Sequence, residues 1–385
     1  MTYLDNGATT LYKPPEVAAA VAAAMKRCAS VGRSGHPPAI RAAEAVYLCR
    51  ERVARLFGLD EPERVIFTHN ATHALNLAIH GLLAGRGPGN VVISGYEHNS
   101  VVRPLKSLEG RGMELRVARG ALFEPEQMAR AFETLVDERT RMLVCTHVSN
   151  VFGYILPVEQ VDRLAARAGV PLVLDASQSA GALPLRVGDF QALAAAAMPG
   201  HKALYGPQGT GVLLALSDQI APSVLQGGTG SLSRQTTQPD FYPDRLETGT
   251  LNVPGIAGLA EGVAYVLRRR PERIAARERA LVEELAQKLA RLPDTKVYFT
   301  PDHRRQSGVL SLVCQRLAGE MVAQRLAERN ICVRAGLHCA PLAHESAGTE
   351  ESGTVRVSLS DFNTRFDVAR FVDAYGKILA SAKKK

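Results

Sequence analysis

Two neighbouring stretches decide the fold: Pro171-Leu-Val-Leu-Asp-Ala-Ser-Gln178 and Leu193-Ala-Ala-Ala-Ala-Met-Pro-Gly-His-Lys202. Each is a short run, apolar throughout, closed by polar groups: Asp175 and Gln178 in the first, His201 and Lys202 in the second. A strand with apolar residues on both faces is buried on both faces, which marks a parallel sheet covered by helices. A carboxylate closing such a strand is costly unless a cation meets it.

Outward from these stretches the pattern recurs. Strands are expected at 64–68, 90–94, 141–146, 171–175, 193–197 and 211–216, with helices at 71–83, 124–136 and 157–168 between them. Open sheets of this kind bind ligands beyond the C-terminal ends of their strands. The polar clusters just past those ends therefore matter: His69-Asn-Ala-Thr72, Glu97-His-Asn99, Asp175-Ala-Ser-Gln178 and Pro199-Gly-His-Lys202. The first opens a helix, where free backbone N–H groups make an anion site; Asn or Thr there is equally explained as a helix cap. His98 taken alone reads as an ordinary loop residue. An Asp and a Lys ending separate strands of one sheet, beside an anion-binding helix start, form the set that pyridoxal phosphate needs. It takes a lysine for its aldehyde, a carboxylate for its ring nitrogen and a cradle for its phosphate.

Beyond the sheet, helical patterning over 254–292 is broken near Pro271, which cannot continue a helix. Strands near 309–313, 331–334 and 355–359 and helices near 320–329 and 364–380 then read as a small α+β unit. Three parts are expected: an N-terminal segment 1–15 packing on the small domain, a large domain 16–255, and a connector with the small C-terminal domain 256–385. The 385 residues, 46% hydrophobic and 22% charged, are an ordinary globular mixture that excludes collagen-like, coiled-coil and disordered classes. Apolar runs fall short of the ~20 residues of a membrane span, and Met1-Thr-Tyr-Leu-Asp5 has no export-signal pattern. A soluble, cytoplasmic protein is expected.

The net charge of +8 is scattered apart from Arg268-Arg-Arg270 and Lys383-Lys-Lys385, read as solvated helix ends, so nucleic-acid binding is not expected. Six cysteines show no metal-ligand spacing, and no metal site is expected. Cys28, Cys49, Cys145 and Cys314 read as small core residues. Cys339 stands apart in the turn-like Gly336-Leu-His-Cys-Ala-Pro341.

Tyr3-Leu-Asp-Asn-Gly-Ala-Thr-Thr10, Gly32-Arg-Ser-Gly-His36, Asn70-Ala-Thr72, Glu97-His-Asn99, His147-Val-Ser-Asn150, Asp175-Ala-Ser-Gln178, Gly200-His-Lys202 and Glu247-Thr-Gly-Thr-Leu-Asn252 occur in this order. Together they resemble the class V, fold-type I pyridoxal-phosphate enzymes. Arg334-Ala-Gly-Leu-His-Cys-Ala-Pro341 with Gly353-Thr-Val-Arg356 narrows the resemblance to cysteine desulfurases and selenocysteine lyases. It runs over essentially the whole chain. It implies an α/β fold with a mostly parallel seven-stranded sheet and a smaller α+β C-terminal domain. It also implies removal of sulfur from L-cysteine, giving L-alanine and a persulfide on Cys339 for an acceptor protein.

By position, the resemblance makes Lys202 the lysine that binds the cofactor and moves the Cα proton. Asp175 pairs with the ring nitrogen, Gln178 with the phenolic oxygen, and His98 lies on the ring face as a proton shuttle. Asn150 contacts ring and substrate; Ala71, Thr72 and His201 hold the phosphate. Gly249 and Thr250 match a loop that reaches the phosphate from a neighbouring subunit, which implies a homodimer. Arg356 resembles the clamp on the substrate carboxylate, Arg334 has a supporting role, and His338 either helps keep the Cys339 thiolate ionised or merely contacts the turn. The 17 positions from Cys339 to Arg356 (356 − 339) suggest a short tether that makes acceptors come to the site.

Two departures stand out. Pro199 occupies a place usually held by Ser or Thr, removing one phosphate hydrogen bond, and Leu337 precedes His338 where one branch has two histidines. The residues leave three alternatives open: selenocysteine lyase, a transaminase or β-lyase in which Cys339 is a bystander, and a basic RNA-binding or scaffold protein.

Overall fold

A computed structural model describes residues 1–382 apart from 33, 223 and 224. Arg33 of the 32–36 motif and the lysine tail 383–385 lie outside the described residues. After a short strand β1 (Thr2–Tyr3), seven strands form the larger sheet. They are β2 (Val65–Thr68), β3 (Gly89–Ser94), β4 (Met113–Ala118), β5 (Thr140–Thr146), β6 (Leu172–Asp175), β7 (Leu193–Pro199) and β8 (Gly211–Ala215). Their order is β2-β8-β7-β6-β5-β3-β4. Pairing is parallel from β7 through β6, β5 and β3 to β4. Strand β8 is antiparallel to both β7 and β2. It alone runs against the rest, so six strands end on one edge, and that edge is the site.

The uninterrupted apolar strands follow from two cores. Val92, Leu143, Leu174 and Met198 enter one; Val91, Met142, Val173 and Ala197 enter the other, since successive side chains of a strand face opposite ways. Helix Ala71–Leu83 lies where its periodicity predicts, with the Asn70 side chain accepting from the His73 N–H at 2.9 Å. Strand β4 was not foreseen. It is an edge strand whose Glu114 and Arg116 interrupt the apolar run, so it lacks the continuous signal of its neighbours.

The connector is two helices, Val253–Arg269 and Pro271–Leu289, broken at Arg270 in the left-handed region (φ 68°). The arginine run is not simply solvated. Arg269 donates to both oxygens of Asp361, at 2.6 and 2.8 Å, and that carboxylate is buried.

The smaller sheet, ordered β12-β13-β10-β9, is antiparallel. Its strands are β9 (Thr295–Tyr298), β10 (Val309–Cys314), β12 (Arg334–Gly336) and β13 (Thr354–Ser358). The strand expected at 331–334 divides. Its first part, β11 (Ile331–Cys332), pairs in parallel with β1, and Arg334 joins β13. The opening segment thus adheres to the smaller sheet, and Asn6 donates to Ser358 O at 2.9 Å. The same segment reaches the larger sheet, where the Thr10 hydroxyl donates to His201 O at 3.0 Å. Cys49, Cys145 and Cys314 are buried as expected, whereas Cys28 at a helix end is half-exposed. Among the described residues no helix is long and apolar enough to cross a membrane.

Candidate active site

The strand ends line a cleft of about 590 Å³, part of it open to solvent. Its lining brings together eight of the expected residues: Ala71, Thr72, His98, Asn150, Asp175, Gln178, His201 and Lys202. Asp175 ends β6 and is buried, its Oδ1 accepting from the Ser177 N–H at 2.9 Å. Lys202 follows β7 and opens onto the cleft, otherwise surrounded by protein. Burial lowers its amine to about 8; Asp175 opposes that shift, and the charges of Arg356 and Arg334 add to it. An amine near neutrality at the end of a strand is a nucleophile in waiting.

Two glycines set the walls. A Cβ on Gly211 would sit 2.6 Å from the Asn70 backbone, so only glycine lets β8 pack against the start of helix Ala71–Leu83. A Cβ on Gly200 would meet Thr210 Oγ1 at 2.2 Å. The helix start aims its first N–H groups, from Ala71 and Thr72, at the cleft. Pro199 lines the cleft and offers no donor.

The histidines here are neutral. Burial takes His98 down to about 4; Asp175 opposes the shift, and Lys202 adds to it. Burial also lowers His201 to about 4, helped by Lys202 and Lys13. The Nδ1 of His98 is engaged by Ser100, 2.7 Å to the hydroxyl, which caps the helix Asn99–Lys106 and leaves Nε2 for the cleft. Beneath it lies Glu97, which sequence reasoning passed over. It is buried and accepts from Ser94 Oγ at 2.5 Å and from the Thr146 N–H at 2.7 Å, tying the end of β3 to the end of β5. Burial pushes its carboxyl up to about 8, so it carries its proton at neutral pH.

Arg356 on β13 is almost wholly enclosed, at 2% exposure. Its Nη1 donates to Asn150 O at 2.9 Å and its Nη2 to Asp5 Oδ1 at 2.8 Å, while Nε has no partner. The Nε–Nη2 edge is the side of a guanidinium that grips a carboxylate with two parallel bonds, and Asp5 holds half of it. Asp5 is a further residue the sequence reading missed; it lies in the 3–10 motif but has no signal of its own.

Cys339 is exposed. It and His338 both adopt left-handed backbone, φ 58° and 50°, a conformation that costs about 1–3 kcal/mol per non-glycine residue. The Cys339 carbonyl accepts from the Asn99 N–H at 2.8 Å, which sets the turn beside His98. Of the two roles open to His338, the geometry favours the turn contact. Its Nε2 meets Thr354 O at 3.2 Å and must therefore hold the proton, and burial, together with Arg356 and His344, drives it down to about 2. A neutral, buried imidazole supplies no charge to ionise a thiol; it anchors the turn instead.

Arg334 lies directly across from Arg356 in the β12–β13 pairing but is exposed and does not line the cleft. Gly249 and Thr250 are not brought to the cleft within one chain. They line a separate surface hollow with Arg50, Tyr47 and Glu247.

A family model described as aminotransferase class-V matches residues 2–371, and the chain belongs to that family. Among its relatives are cysteine desulfurases. It is 33% identical over 377 residues to a probable cysteine desulfurase of Methanothermobacter thermautotrophicus, covering 95% of this chain and 92% of the relative. It is 33% identical over 395 residues to the cysteine desulfurase of Escherichia coli O127:H6, covering 98% and 93%. The apo structure of the cysteine desulfurase from Thermococcus onnurineus superposes with a TM-score of 0.88 at 30% identity, covering 98% of this chain and 94% of that one.

Proposed function

We propose that the protein is a pyridoxal-phosphate-dependent cysteine desulfurase, acting as a cytoplasmic homodimer on L-cysteine and passing sulfur to an acceptor protein. The observation that carries the reading is that the exposed Cys339, which does not itself line the cleft of Lys202 and Asp175, sits on a turn whose carbonyl accepts from the Asn99 N–H, one residue from the cleft-lining His98.

The donor set suits the cofactor. Lys202 supplies an amine of lowered pKa, Asp175 a buried carboxylate, and the N–H groups of Ala71 and Thr72, with His201, an anion cradle. Gln178 stands in the same wall, its Nε2 donating one hydrogen to Gly7 O at 3.0 Å, with the second suited to the phenolic oxygen of the ring. Bound there, pyridoxal phosphate supplies an electron sink for the substrate Cα. The chain's own groups do the rest. Lys202 Nζ, near neutrality, takes and returns the Cα proton. Neutral His98 passes a proton at Nε2. Arg356 orients the substrate carboxylate on its Nε–Nη2 edge, sharing it with Asp5.

Cys339 Sγ attacks the substrate sulfur. The substrate's Cβ–S bond breaks, an S–S bond forms on Cys339, and a proton takes the place of sulfur on Cβ. L-cysteine becomes L-alanine with no external oxidant or reductant. We assign the cofactor to the unit 16–255, and the Cys339 turn and the carboxylate clamp to 256–385. The segment 1–15 bridges the two, and Gly249 and Thr250 serve the partner subunit's phosphate.

The test is product analysis with L-cysteine in the presence of a thiol acceptor. Alanine and sulfide in equal amounts are expected. Pyruvate and ammonia in place of alanine would assign the chain to β-elimination and make Cys339 a bystander.

A further inference from the structure

We infer that Asn150 positions the nucleophile: its side-chain amide holds the Cys339 turn, and its backbone carbonyl ties that turn to the guanidinium of Arg356. The inference rests on the reading of Cys339 as the sulfur acceptor and adds to the cofactor and substrate contacts expected of Asn150.

The geometry is specific. Asn150 is buried just past the end of β5, and its Nδ2 donates to the carbonyl of His338 at 2.8 Å. That carbonyl belongs to the first of two consecutive left-handed residues, the second being Cys339 itself. Strained backbone persists only where its surroundings hold it, and few groups hold this turn from outside. Among the described residues the hydrogen bonds are those of Asn150 Nδ2, the Asn99 N–H on Cys339 O, and the buried His338 ring on Thr354, a ring that also stacks on His344. Of these, only Asn150 also touches the carboxylate clamp, through its own carbonyl and Arg356 Nη1 at 2.9 Å. A carboxylate that takes the Nε–Nη2 edge competes with Asp5 for Nη2, and Nη1 of the same rigid guanidinium rests on Asn150. Substrate arrival and thiol placement therefore meet at one residue.

The side chain and the carbonyl are separable. Asn150→Asp keeps the shape and the carbonyl, and replaces the donor facing His338 O with an acceptor, so it cuts the link to the turn and keeps the one to Arg356; the charge it adds to the cleft is controlled by the neutral Asn150→Ser, which also loses the link. The readout is the rate at which iodoacetamide alkylates Cys339 in cofactor-loaded enzyme, followed by peptide mass, with and without L-alanine as a sulfur-free carboxylate ligand.

In the wild type, L-alanine is expected to change that rate. In Asn150→Asp the ligand-free rate should rise about fivefold or more, the scale of coupling within one hydrogen-bond network, and the response to L-alanine should vanish. A role confined to substrate contact would leave the ligand-free rate unmoved. A variant keeping either the wild-type rate or the L-alanine response overturns the inference. If Asn150→Asp does not fold, Asn150→Ser, too short to reach His338 O, is read by the same criteria. Alkylation does not depend on sulfur transfer. Failure of Cys339 to gain sulfur from L-cysteine in the wild type would be a separate result, striking the functional reading and not this coupling.

Discussion

The floor of the cleft and the Cys339 turn are held by opposite means. On the floor, Asp175 and Lys202 follow from strand ends in a sheet buried on both faces, so the backbone register of β6 and β7 places them. The turn has no such frame. Two strained residues carry an exposed thiol, and hydrogen bonds from Asn99, Asn150 and Thr354, distant in sequence, keep it in place. The floor should therefore tolerate side-chain change structurally while losing chemistry, whereas the turn and its clamp should lose structure and chemistry together.

The largest effect expected on the floor is that of Lys202→Ala. Alanine production should fall by about 10³-fold or more, the scale of a lost acid–base group combined with a lost covalent anchor, while the melting temperature is retained. A variant within tenfold of wild type would break the comparison on its floor side.

On the clamp side, Arg356→Met leaves the half-buried Asp5 without its partner. A loss of about 1–3 kcal/mol in unfolding free energy is expected, the cost of removing one partner of a hydrogen bond from a partly buried acceptor, together with a higher KM for L-cysteine. Denaturant titration checks the first and initial rates the second; an unchanged midpoint would show that the clamp is not structural.

Glu97→Gln sharpens the contrast from beneath the floor. The folded carboxyl at about 8 lies above its ordinary value, so the folded state loses stability as pH rises from the ordinary carboxylate range toward 8, while the unfolded state ionises. The variant should melt like wild type near pH 4 and above wild type at pH 8, with the gain level beyond that. Equal melting at all pH values would contradict it.

Cofactor uptake by the apo chain has a matching pH dependence. Only the neutral amine of Lys202 can bond the aldehyde, so the uptake rate should climb with pH and level off above about 8, not near the ordinary lysine value of 10.5. Stopped-flow absorbance against pH reads the midpoint.

The smallest effect is that of Pro199→Ser, which restores one phosphate donor. Cofactor affinity should tighten by about 2–12-fold, the worth of one hydrogen bond, and a titration showing no change would remove Pro199 from the account.

What the sequence made legible follows the same division. Asp175 and Lys202 could be read from residue order because apolar strands announce their own ends, and helix Ala71–Leu83 was legible from its period and its Asn70 cap. Strands β4 and β9 were not: β4 is charged and lies at a sheet edge, and β9 is short and ends the smaller sheet. His98 and Asn150 came through family resemblance, since no local pattern marks them; Cys339 stood apart in its turn-like segment, and only its role came through the resemblance. Glu97, Asp5 and Asn99 were missed because their work is done through bonds to Thr146, Arg356 and Cys339, far along the chain. The two roles of His338 could not be separated in sequence because burial, invisible there, sets its protonation.

The central claim is that Cys339 receives the substrate's sulfur. Its most direct test is the mass of the Cys339 peptide from cofactor-loaded protein after brief exposure to L-cysteine without any acceptor. One added sulfur on that peptide, with an equivalent of alanine released and neither seen in Cys339→Ala, is the predicted result. Alanine release without sulfur on Cys339, or the same yield from Cys339→Ala, would contradict it.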